Sequence, residues 1–545
     1  MEKLKPKLFS VMKTYTKEQF IKDVVAGIIV AIIALPLSIA LALASGVTPE
    51  KGLYTAIVAG FVISFLGGSR VQISGPTAAF ATIVAGIVAS QGFDGLVIAT
   101  ILAGIILIIM GLCKMGNLIK FIPYTITTGF TSGIAVTIVI GQVKDFFGLT
   151  FSHSPIETTE KIKEIISCIT TINLQALAIG AISLAILIIW PKISKKIPGS
   201  LIAVIVASLL VKLMALDVNT IGSLYEISNK LPSFSMPAFS IGRIRTLLPD
   251  AFTIAVLAAI ESLLSCVVAD GMINSKHRSN MELIAQGAGN IASGLFGGIP
   301  ATGAIARTAA NIKNGGRTPI AGMVHSITLV LILVVLMPYA SLIPMPTIAA
   351  ILFMVAYNMS EWREFVDLVK TSPKSDIIVL IATFSLTIIF DLVVAIEIGM
   401  IMTAFLFIKR MSDVSNVNGW VYPQDDDDDP DSINLRKVPK NTYVYEISGP
   451  MFFGVAEKLL TITTDKSINC IILRMRSVPS LDATAIHSLK KFVTMCQKNK
   501  ITLVMSHVNE QPMATLQKSG LYNEIGEENF CVHIDDAIIR AGNLL

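Results

Sequence analysis

Long apolar segments follow one another from residue 24 to residue 408, separated by short polar stretches. Each is close to the ~17–25 residues that a helix needs to cross the hydrocarbon core of a bilayer. Counting these spans together with shorter half-helices gives about fourteen crossings, so the pattern predicts a multi-span α-helical membrane protein. The clearest runs are Val97–Leu112, Leu174–Trp190, Leu201–Leu216, Ile320–Met337 and Ile377–Phe390.

The pattern changes after Arg410. Residues 411–440 contain the acidic run Asp425–Asp429, which is too polar and self-repelling to pack, so we predict a linker there. Residues 441–545 alternate short strand-like runs with amphipathic helical stretches, which predicts a soluble α/β domain with a parallel or mixed sheet. The predicted strands are Tyr443–Ile447, Cys470–Leu473 and Ile501–Met505, and the predicted helices are Val455–Thr464, Ala483–Lys498 and Pro512–Ser519.

Composition supports the membrane assignment. Of the 545 residues 53% are hydrophobic and only 15% charged, and the mean hydropathy is +0.71, whereas soluble domains are about 25% charged. The opening lysines precede no small-residue cleavage site, so residues 1–22 are expected to remain as an amino-terminal segment before a membrane domain of residues 23–410.

The net charge of +5 reflects topology more than nucleic-acid binding. The basic residues are dispersed between spans and fall on the side of the amino terminus, as the positive-inside bias requires. We therefore expect a multi-pass protein of the cell (inner or plasma) membrane, with both termini in the cytoplasm, lipid around it and no nucleic-acid partner.

Several kinds of chemistry are not indicated. The six cysteines and six histidines are scattered and form no Cys-x-x-Cys spacing, so neither a disulfide framework nor a metal site is predicted. The sequence has no Gly-x-x-x-x-Gly-Lys-Ser/Thr phosphate loop and no nucleophile–base arrangement. We expect no cofactor and no enzymatic activity, and a gradient as the energy source.

Two apolar stretches are interrupted by proline, Ser74–Ala79 and Ile299–Ala304. Paired interruptions in corresponding halves of a membrane protein indicate half-helices that meet near the bilayer midplane. The free N–H groups and positive dipole ends of both half-helices would then face an anion. The hydroxyls of Thr77 and Thr302 could donate to that anion. Small residues that permit its close approach are Gly75, Ala78, Ala301 and Gly303.

Glu261 lies in an apolar helical stretch, with Ser265 one turn later on the same face. An ionisable residue inside a membrane is costly and is therefore a functional candidate. A carboxyl removed from water favours its protonated form, so Glu261 could carry a proton, whereas an ionised carboxylate among other oxygen atoms could hold sodium. A structural hydrogen bond between two helices is the third interpretation.

Arg307 is placed about two turns into the second half-helix by the same pattern. Arginine keeps its charge and can donate two hydrogen bonds to one oxyanion, so Arg307 would complement the helix dipole. It could alternatively extend to the cytoplasmic surface or pair with a carboxylate.

These motifs resemble those of the SulP family of anion transporters and exchangers, over nearly the whole chain. The segments that carry the resemblance are Asp23–Gly27 with Leu35 and Pro36, Gly46–Tyr54, Gly67–Arg70 leading to Ser74–Ala78, Asn280–Gly287, and Phe296–Thr308. The resemblance implies a seven-plus-seven inverted repeat, a core domain that carries substrate past a gate domain, and commonly a homodimer.

The resemblance places the substrate site between the first, third, eighth and tenth segments. The candidate substrate-binding residues are Pro36, Leu41, Pro76, Thr77, Ala78, Phe80, Ala301, Thr302, Gly303, Ala304 and Arg307, and the candidate coupling-ion residues are Glu261 and Ser265. Sodium-coupled bicarbonate members of the family tend to carry aspartate at the position of Glu261, so the glutamate favours proton coupling.

The tail resembles a STAS domain. In phosphorylated soluble relatives a serine or threonine directly follows the aspartate that corresponds to Asp482, whereas Ala483 stands here and Thr484 comes next. Asp482 and Thr484 are therefore the candidate regulatory residues. The expected roles of the tail are dimer contact, trafficking or regulation through a cytoplasmic partner.

The sequence as a whole predicts an H⁺-coupled secondary active transporter that works by alternating access. Its substrate would be an oxyanion: sulfate first, or bicarbonate or a dicarboxylate. The alternatives are a Na⁺-coupled bicarbonate transporter, a passive anion channel, a non-transporting sensor that signals through the STAS domain, and a nucleobase carrier of similar architecture.

Overall fold

A computed structural model of the protein describes residues 4–117, 123–153, 155, 157–194, 198–390, 392–414, 416–420, 438–439, 441–453 and 468–544. The chain divides into two compact units, Met1–Met400 and Ile401–Leu545. The acidic run Asp425–Asp429 and the predicted helix Val455–Thr464 lie outside the described residues.

The first unit is built from helices. They are α1 (Lys7–Val11), α2 (Lys17–Ala44), α3 (Pro49–Leu66), α4 (Ala78–Leu112), α5 (Tyr124–Phe147), α6 (Thr158–Ser167), α7 (Leu174–Ile193), α8 (Gly199–Leu213), α9 (Ile221–Leu224), α10 (Ile241–Ile273), α11 (Ser279–Leu295), α12 (Ile305–Lys313), α13 (Ile320–Leu336), α14 (Met345–Met359), α15 (Trp362–Thr371), α16 (Lys374–Ile389) and α17 (Leu392–Val414), which continues into the second unit. Short 3₁₀ turns cover Met12–Thr14, Ile169–Thr171 and Met337–Leu342.

The predicted apolar runs fall largely within α4, α7, α8, α13 and α16. Among the described residues, seven helices are long and apolar enough to cross a membrane. The larger total of about fourteen crossings also counts shorter helices and stays a prediction.

One order of elements occurs twice in the first unit. Two helices, a short extended strand and a further helix follow one another as α2, α3, β1 (Ser74–Gly75) and α4, and again as α10, α11, β2 (Thr302–Gly303) and α12. Proline stands at each interruption, at Pro76 and Pro300, where it removes a backbone donor and restricts the residue before it to extended geometry.

The two interruptions meet. β1 and β2 pair antiparallel, with Ser74 opposite Gly303 and Gly75 opposite Thr302. Because α4 begins just after β1 and α12 just after β2, the amino ends of both helices start at one two-residue ladder. α4 is itself broken at Gly92, whose φ of 71° is accessible to glycine, so its first part is a half-helix.

The predicted boundary at residue 23 falls inside a helix. α2 already begins at Lys17, where the side chain of Thr16 accepts the backbone N–H of Gln19 at 3.2 Å. The preceding segment is also packed, since the backbone N–H of Lys7 donates to the carbonyl of Gly67 at 2.8 Å.

The second unit contains a five-stranded mixed sheet, in the order β3-β4-β5-β6-β7. β3 pairs antiparallel with β4, and the other neighbouring pairs are parallel. Alternate strand residues face helices on both sides, which gives two apolar layers. The elements are β3 (Asn416–Trp420), β4 (Thr442–Ser448), β5 (Cys470–Ser477), α18 (Ala483–Lys498), β6 (Thr502–Ser506), α19 (Glu510–Ser519), α20 (Leu521–Ile525), β7 (Phe530–Cys531) and α21 (Ile534–Gly542), with a 3₁₀ turn at Glu527–Asn529.

The first part of the predicted linker, residues 411–440, has regular structure. Residues up to Val414 complete α17, and Asn416–Trp420 form the edge strand beside β4. An edge strand is held by backbone hydrogen bonds and needs no alternating apolar pattern, so its polar sequence gave no strand signal.

Candidate functional site

The β1–β2 ladder contacts α3 through β1 and α10 through β2. α10 packs against both α4 and α12, and α2 packs against the same two helices from another side. Pro36 and Leu41 are buried in α2, which continues through the proline without a break. The four helices that carry the predicted site residues are therefore neighbours in the structure.

Glu261 reaches the first interruption from α10. Its Oε2 accepts a hydrogen bond from Oγ1 of Thr77 at 2.9 Å, and Thr77 is the residue that precedes α4. The carboxyl group thus lies at the amino end of the first half-helix, where the helix dipole favours negative charge.

Arg307 reaches the same interruption from α12. It is the third residue of that helix, so it lies in the first turn and not two turns in as the sequence suggested. Only 3% of Arg307 is exposed, which excludes extension to the surface. One terminal nitrogen, Nη2, donates to the carbonyl of Pro76, and the charges of Arg307 and Glu261 attract each other.

The second terminal nitrogen of Arg307, Nη1, is buried and has no hydrogen-bond partner among the described residues. A buried donor that lacks a partner is costly, so such a group is usually matched by water or by a ligand. Nη1 is close to Gly75, because a Cβ at that glycine would lie 2.7 Å from it. This nitrogen is thus available to an oxyanion beside the ladder.

Two predicted contact residues have their hydroxyls engaged elsewhere. Oγ1 of Thr302 donates to the carbonyl of Ala258 at 2.9 Å, so it ties β2 to α10. Oγ of Ser265 donates to Oγ1 of Thr308 at 3.5 Å, and Ser265 is only 1% exposed. The structure therefore places Ser265 at a contact with α12 and does not bring its hydroxyl to Glu261.

The remaining predicted residues are apolar and lie in or next to the two interruptions in the sequence. Their side chains are buried, and Gly303 is packed so closely that a Cβ would lie 2.6 Å from Cδ of Gln72. They can shape the site and admit a ligand to the backbone, but they provide no charge. They are Ala78, Phe80, Ala301 and Ala304.

A polar stripe on α11 was missed by the sequence reasoning. Glu282, Gln286, Asn290 and Ser293 follow at intervals of four, four and three residues, which places them on one helical face, and all four are buried. Buried polar residues at this spacing in an apolar helix were the signal that could have revealed it.

The stripe holds both interruptions. Asn290 pairs with the backbone of Ala301: its Oδ1 accepts the N–H of Ala301 at 2.8 Å, and its Nδ2 donates to the carbonyl of the same residue at 2.9 Å. These are the two hydrogen bonds that an adjacent strand would provide. Gln286 donates to Oγ of Ser74 at 3.3 Å. Glu282 accepts the backbone N–H groups of Gly68 at 2.9 Å and Ser69 at 3.2 Å, in the loop that leads to β1.

In the tail, Asp482 has a local structural role. It caps α18, since its Oδ1 accepts the N–H of Ala485 at 2.7 Å, and its Oδ2 accepts the N–H of Phe453 at 3.0 Å. Thr484 is exposed in the first turn of α18. Burial raises the pKa of the Cys470 and Cys496 thiols to about 12, so both stay protonated at neutral pH.

Paired half-helix ends inside a bundle of apolar helices, followed by a domain with a mixed β-sheet, are typical of a multi-pass membrane transporter with a carboxy-terminal α/β domain. Residues 20–383 match the sulfate permease family, and residues 432–537 match the STAS domain. The chain belongs to the sulfate permease family, whose members are transporters and not enzymes.

Two of its relatives match it along nearly their full length. The chain is 39% identical to the "Putative sulfate transporter YvdB" of Bacillus subtilis (strain 168), over 96% of this chain and 98% of that protein. It is 30% identical to the bicarbonate transporter BicA of Picosynechococcus sp. (strain ATCC 27264 / PCC 7002 / PR-6), over 95% and 94%. The fold matches the murine Solute Carrier 26 family member A9 anion transporter in the inward-facing state, with a TM-score of 0.89 at 18% identity, over 99% and 94%.

Proposed function

We propose that this protein is a secondary active transporter of a small oxyanion, with sulfate as the first candidate and bicarbonate or a dicarboxylate as the others. Sulfate and bicarbonate are the substrates named for two of its relatives. The transport cycle would be alternating access, in which α2, α4, α10 and α12 carry the site past the rest of the membrane unit.

One observation carries this proposal. The β1–β2 ladder brings the amino ends of α4 and α12 together, and the unpartnered Nη1 of Arg307 lies beside Gly75 in that ladder. Two helix amino ends and one guanidinium supply positive potential and N–H donors, which is the chemistry that binds an oxyanion. An uncharged nucleobase would gain nothing from the buried positive charge.

Glu261 is the proposed coupling residue, and the proposed coupling ion is H⁺. When ionised, Glu261 attracts Arg307 and accepts from Thr77, so it competes with the anion for the same positive groups. Protonation of Glu261 removes that competition and strengthens anion binding. Proton and anion would therefore bind together, as symport requires.

The proposed setting is the cell membrane with both termini in the cytoplasm, because the basic residues between spans lie on the side of the amino terminus. The proposed assembly is a homodimer, to which the tail domain contributes contacts or a site for a cytoplasmic regulator.

The test is uptake into proteoliposomes that contain the purified protein, with labelled sulfate, bicarbonate or a dicarboxylate and with pH and sodium gradients imposed separately. We expect accumulation driven by an inward proton gradient, which a passive channel cannot produce beyond the electrochemical gradient of the anion. We expect Glu261→Gln to abolish gradient-driven accumulation and to leave anion exchange measurable.

The matched control is Asp217→Asn, which neutralises an exposed loop carboxylate. It should leave accumulation unchanged. Proton-driven accumulation by Glu261→Gln at the wild-type level would reject the coupling role, and competition by uracil but not by any of the anions would reject the substrate class.

A further inference from the structure

Two histidines meet at the carboxyl end of the tail sheet. His507 directly follows β6, and His533 is the N-cap of α21, the helix that follows β7. Nε2 of His507 lies 3.4 Å from Nδ1 of His533, and the two rings cross at 75° with their centres 5.2 Å apart. The pair therefore joins the end of β6 to the start of α21.

The backbone holds His507 in this position. Its φ of 54° lies in the left-handed region, which residues other than glycine seldom adopt. Its N–H donates to the carbonyl of Cys531 at 3.1 Å, which continues the pairing of β6 with β7 by one residue. A conformation of this kind persists only where the surrounding contacts fix it, so the fold itself sets His507 beside His533.

His533 also holds the first turn of α21. Its side chain accepts the N–H of Asp536, and the carboxylate of Asp536 accepts the backbone N–H of His533 at 3.3 Å. α21 covers one face of the sheet, where Ile534 and Ala537 belong to the same buried apolar layer as Val504. The docked position of the amino end of α21 thus depends on a lone pair of the His533 ring.

The neutral and the protonated forms of this pair differ in the hydrogen bonds that they can make. A neutral imidazole has one N–H donor and one acceptor nitrogen, so one ring can donate to the other. An imidazolium has two donors and no acceptor. When both rings are protonated, hydrogen atoms and positive charges face each other across the pair, and His533 can no longer accept the N–H of Asp536.

The surroundings of His507 disfavour a protonated ring. Burial lowers the pKa of His507 below its usual value of 6.5, and Arg474, His533 and Arg476 lower it further. Asp535, in the first turn of α21, acts in the opposite direction. Nδ1 of His507 is buried and has no hydrogen-bond partner among the described residues.

Two further carboxylates lie near the pair. Glu446 on β4 forms an ion pair with Arg474 at 3.2 Å, and Asp536 accepts the backbone N–H of His533. Because the pKa of His507 is lowered in the folded tail, the docked form binds fewer protons than a released form at pH values below about 6.5. The stability that the pair contributes is therefore complete above that pH and is lost as the pH falls.

We propose that the His507–His533 pair is a pH-sensitive switch in the tail domain. At neutral pH the pair holds the amino end of α21 on the sheet, and in mild acid the protonation of both rings releases it. Release uncovers the apolar layer of β5 and β6 that α21 shields. This switch goes beyond the proposed function and does not depend on it.

Hydrogen exchange of the purified full-length protein, measured by mass spectrometry at about pH 7.5 and about pH 5.5, tests the switch. Exchange rates are corrected for the intrinsic effect of pH. We expect the protection of residues 534–542 to fall several-fold at the lower pH. The internal control is α18 of the same domain, whose protection should change less than about twofold.

His507→Asn combined with His533→Asn removes both titrating rings with little change to the backbone, because asparagine adopts the left-handed region readily and is a good N-cap residue. In this double variant the protection of residues 534–542 should be the same at both pH values. The matched control is His487→Gln, which replaces an exposed histidine of α18 and should keep the wild-type response.

Unchanged protection of residues 534–542 in the wild type would overturn the proposal. An equally large loss of protection in the double variant would also overturn it, because other groups would then cause the response. If the double variant does not fold, His533→Asn alone should still respond less to acid than the wild type, and a full response would reject the switch.

Discussion

At the scale of single residues, the two charged candidate site residues, Glu261 and Arg307, are both hydrogen-bonded to the first interruption. Glu261 is tied to Thr77, and Arg307 is tied to the carbonyl of Pro76, the residue before it. Arg307 is buried and Glu261 is partly buried, so their interaction is weakly screened and each charge needs a polar partner. A shift of the Glu261 carboxyl or the Arg307 guanidinium therefore changes the electrostatic environment of the other group.

Gly75→Ala tests this coupling. A Cβ at residue 75 would lie 2.7 Å from Nη1 of Arg307 and 3.4 Å from Cα of Ala56, so the guanidinium has to move. We expect at least about a tenfold loss of anion transport, since Nη1 is the proposed oxyanion donor. Uptake rates normalised to protein in the vesicle measure it. Gly141→Ala, at a helical glycine with open space around it, should transport like the wild type.

At the scale of elements, α11 is the scaffold of the site. Its buried polar stripe forms hydrogen bonds with the loop before β1, with β1 and with the segment before β2. Both interruptions are therefore positioned by the same helix. Extended backbone inside a membrane has to satisfy its hydrogen bonds within the protein. Asn290 does this for Ala301, whose N–H and carbonyl would otherwise be unpaired.

Asn290→Ala removes both of these bonds. Leaving two buried backbone groups without partners costs about 1–3 kcal/mol each. We expect a lower melting temperature in detergent and a raised KM for the anion, because the segment that leads into β2 loses its support. Asn290→Asp keeps the acceptor but buries a carboxylate against the carbonyls of Gln286 and Ala301, so it should destabilise at least as much as Asn290→Ala.

Asn314→Ala is the control, since Asn314 is exposed and bonds only within its own helix end. We expect less than about 0.5 kcal/mol of destabilisation from it. If Asn290→Ala transports with an unchanged KM, the stripe has no role in setting the geometry of the site.

At the scale of the whole molecule, the boundary between the two units lies within one continuous helix. α17 starts in the first unit, continues into the second, and is followed within two residues by β3, the edge strand of the tail sheet. A tail cut at residue 441 would therefore lose one of its strands and expose the edge of β4, which invites aggregation.

Two tail fragments test this boundary. A fragment of residues 415–545 should be more soluble and melt at a higher temperature than one of residues 441–545, because only the longer one keeps the β3–β4 pairing. Thermal melting and size-exclusion chromatography provide the measurement. Equal behaviour of the two fragments would show that β3 contributes nothing to the tail.

Much of the fold was predictable because its signals are local. Span length, the proline interruptions and the alternating strands near residues 443, 470 and 501 each depend on neighbours in sequence, and the described residues confirm these elements and the mixed sheet. β3 was missed because an edge strand is defined by its partner. The sequence analysis placed Arg307 about one turn too far from the start of its helix. The backbone around Thr302 is extended, so α12 begins only at Ile305.

By itself, the sequence determined that this chain is a multi-span membrane protein with a soluble α/β tail and two interrupted segments, since hydropathy and proline act locally. Tertiary structure alone decided that the interruptions pair as β1 and β2, that α11 supports both, and that the hydroxyls of Thr302 and Ser265 serve helix contacts. These are contacts between residues far apart in the chain, and the acceptor that a buried donor reaches depends on which helices pack around it.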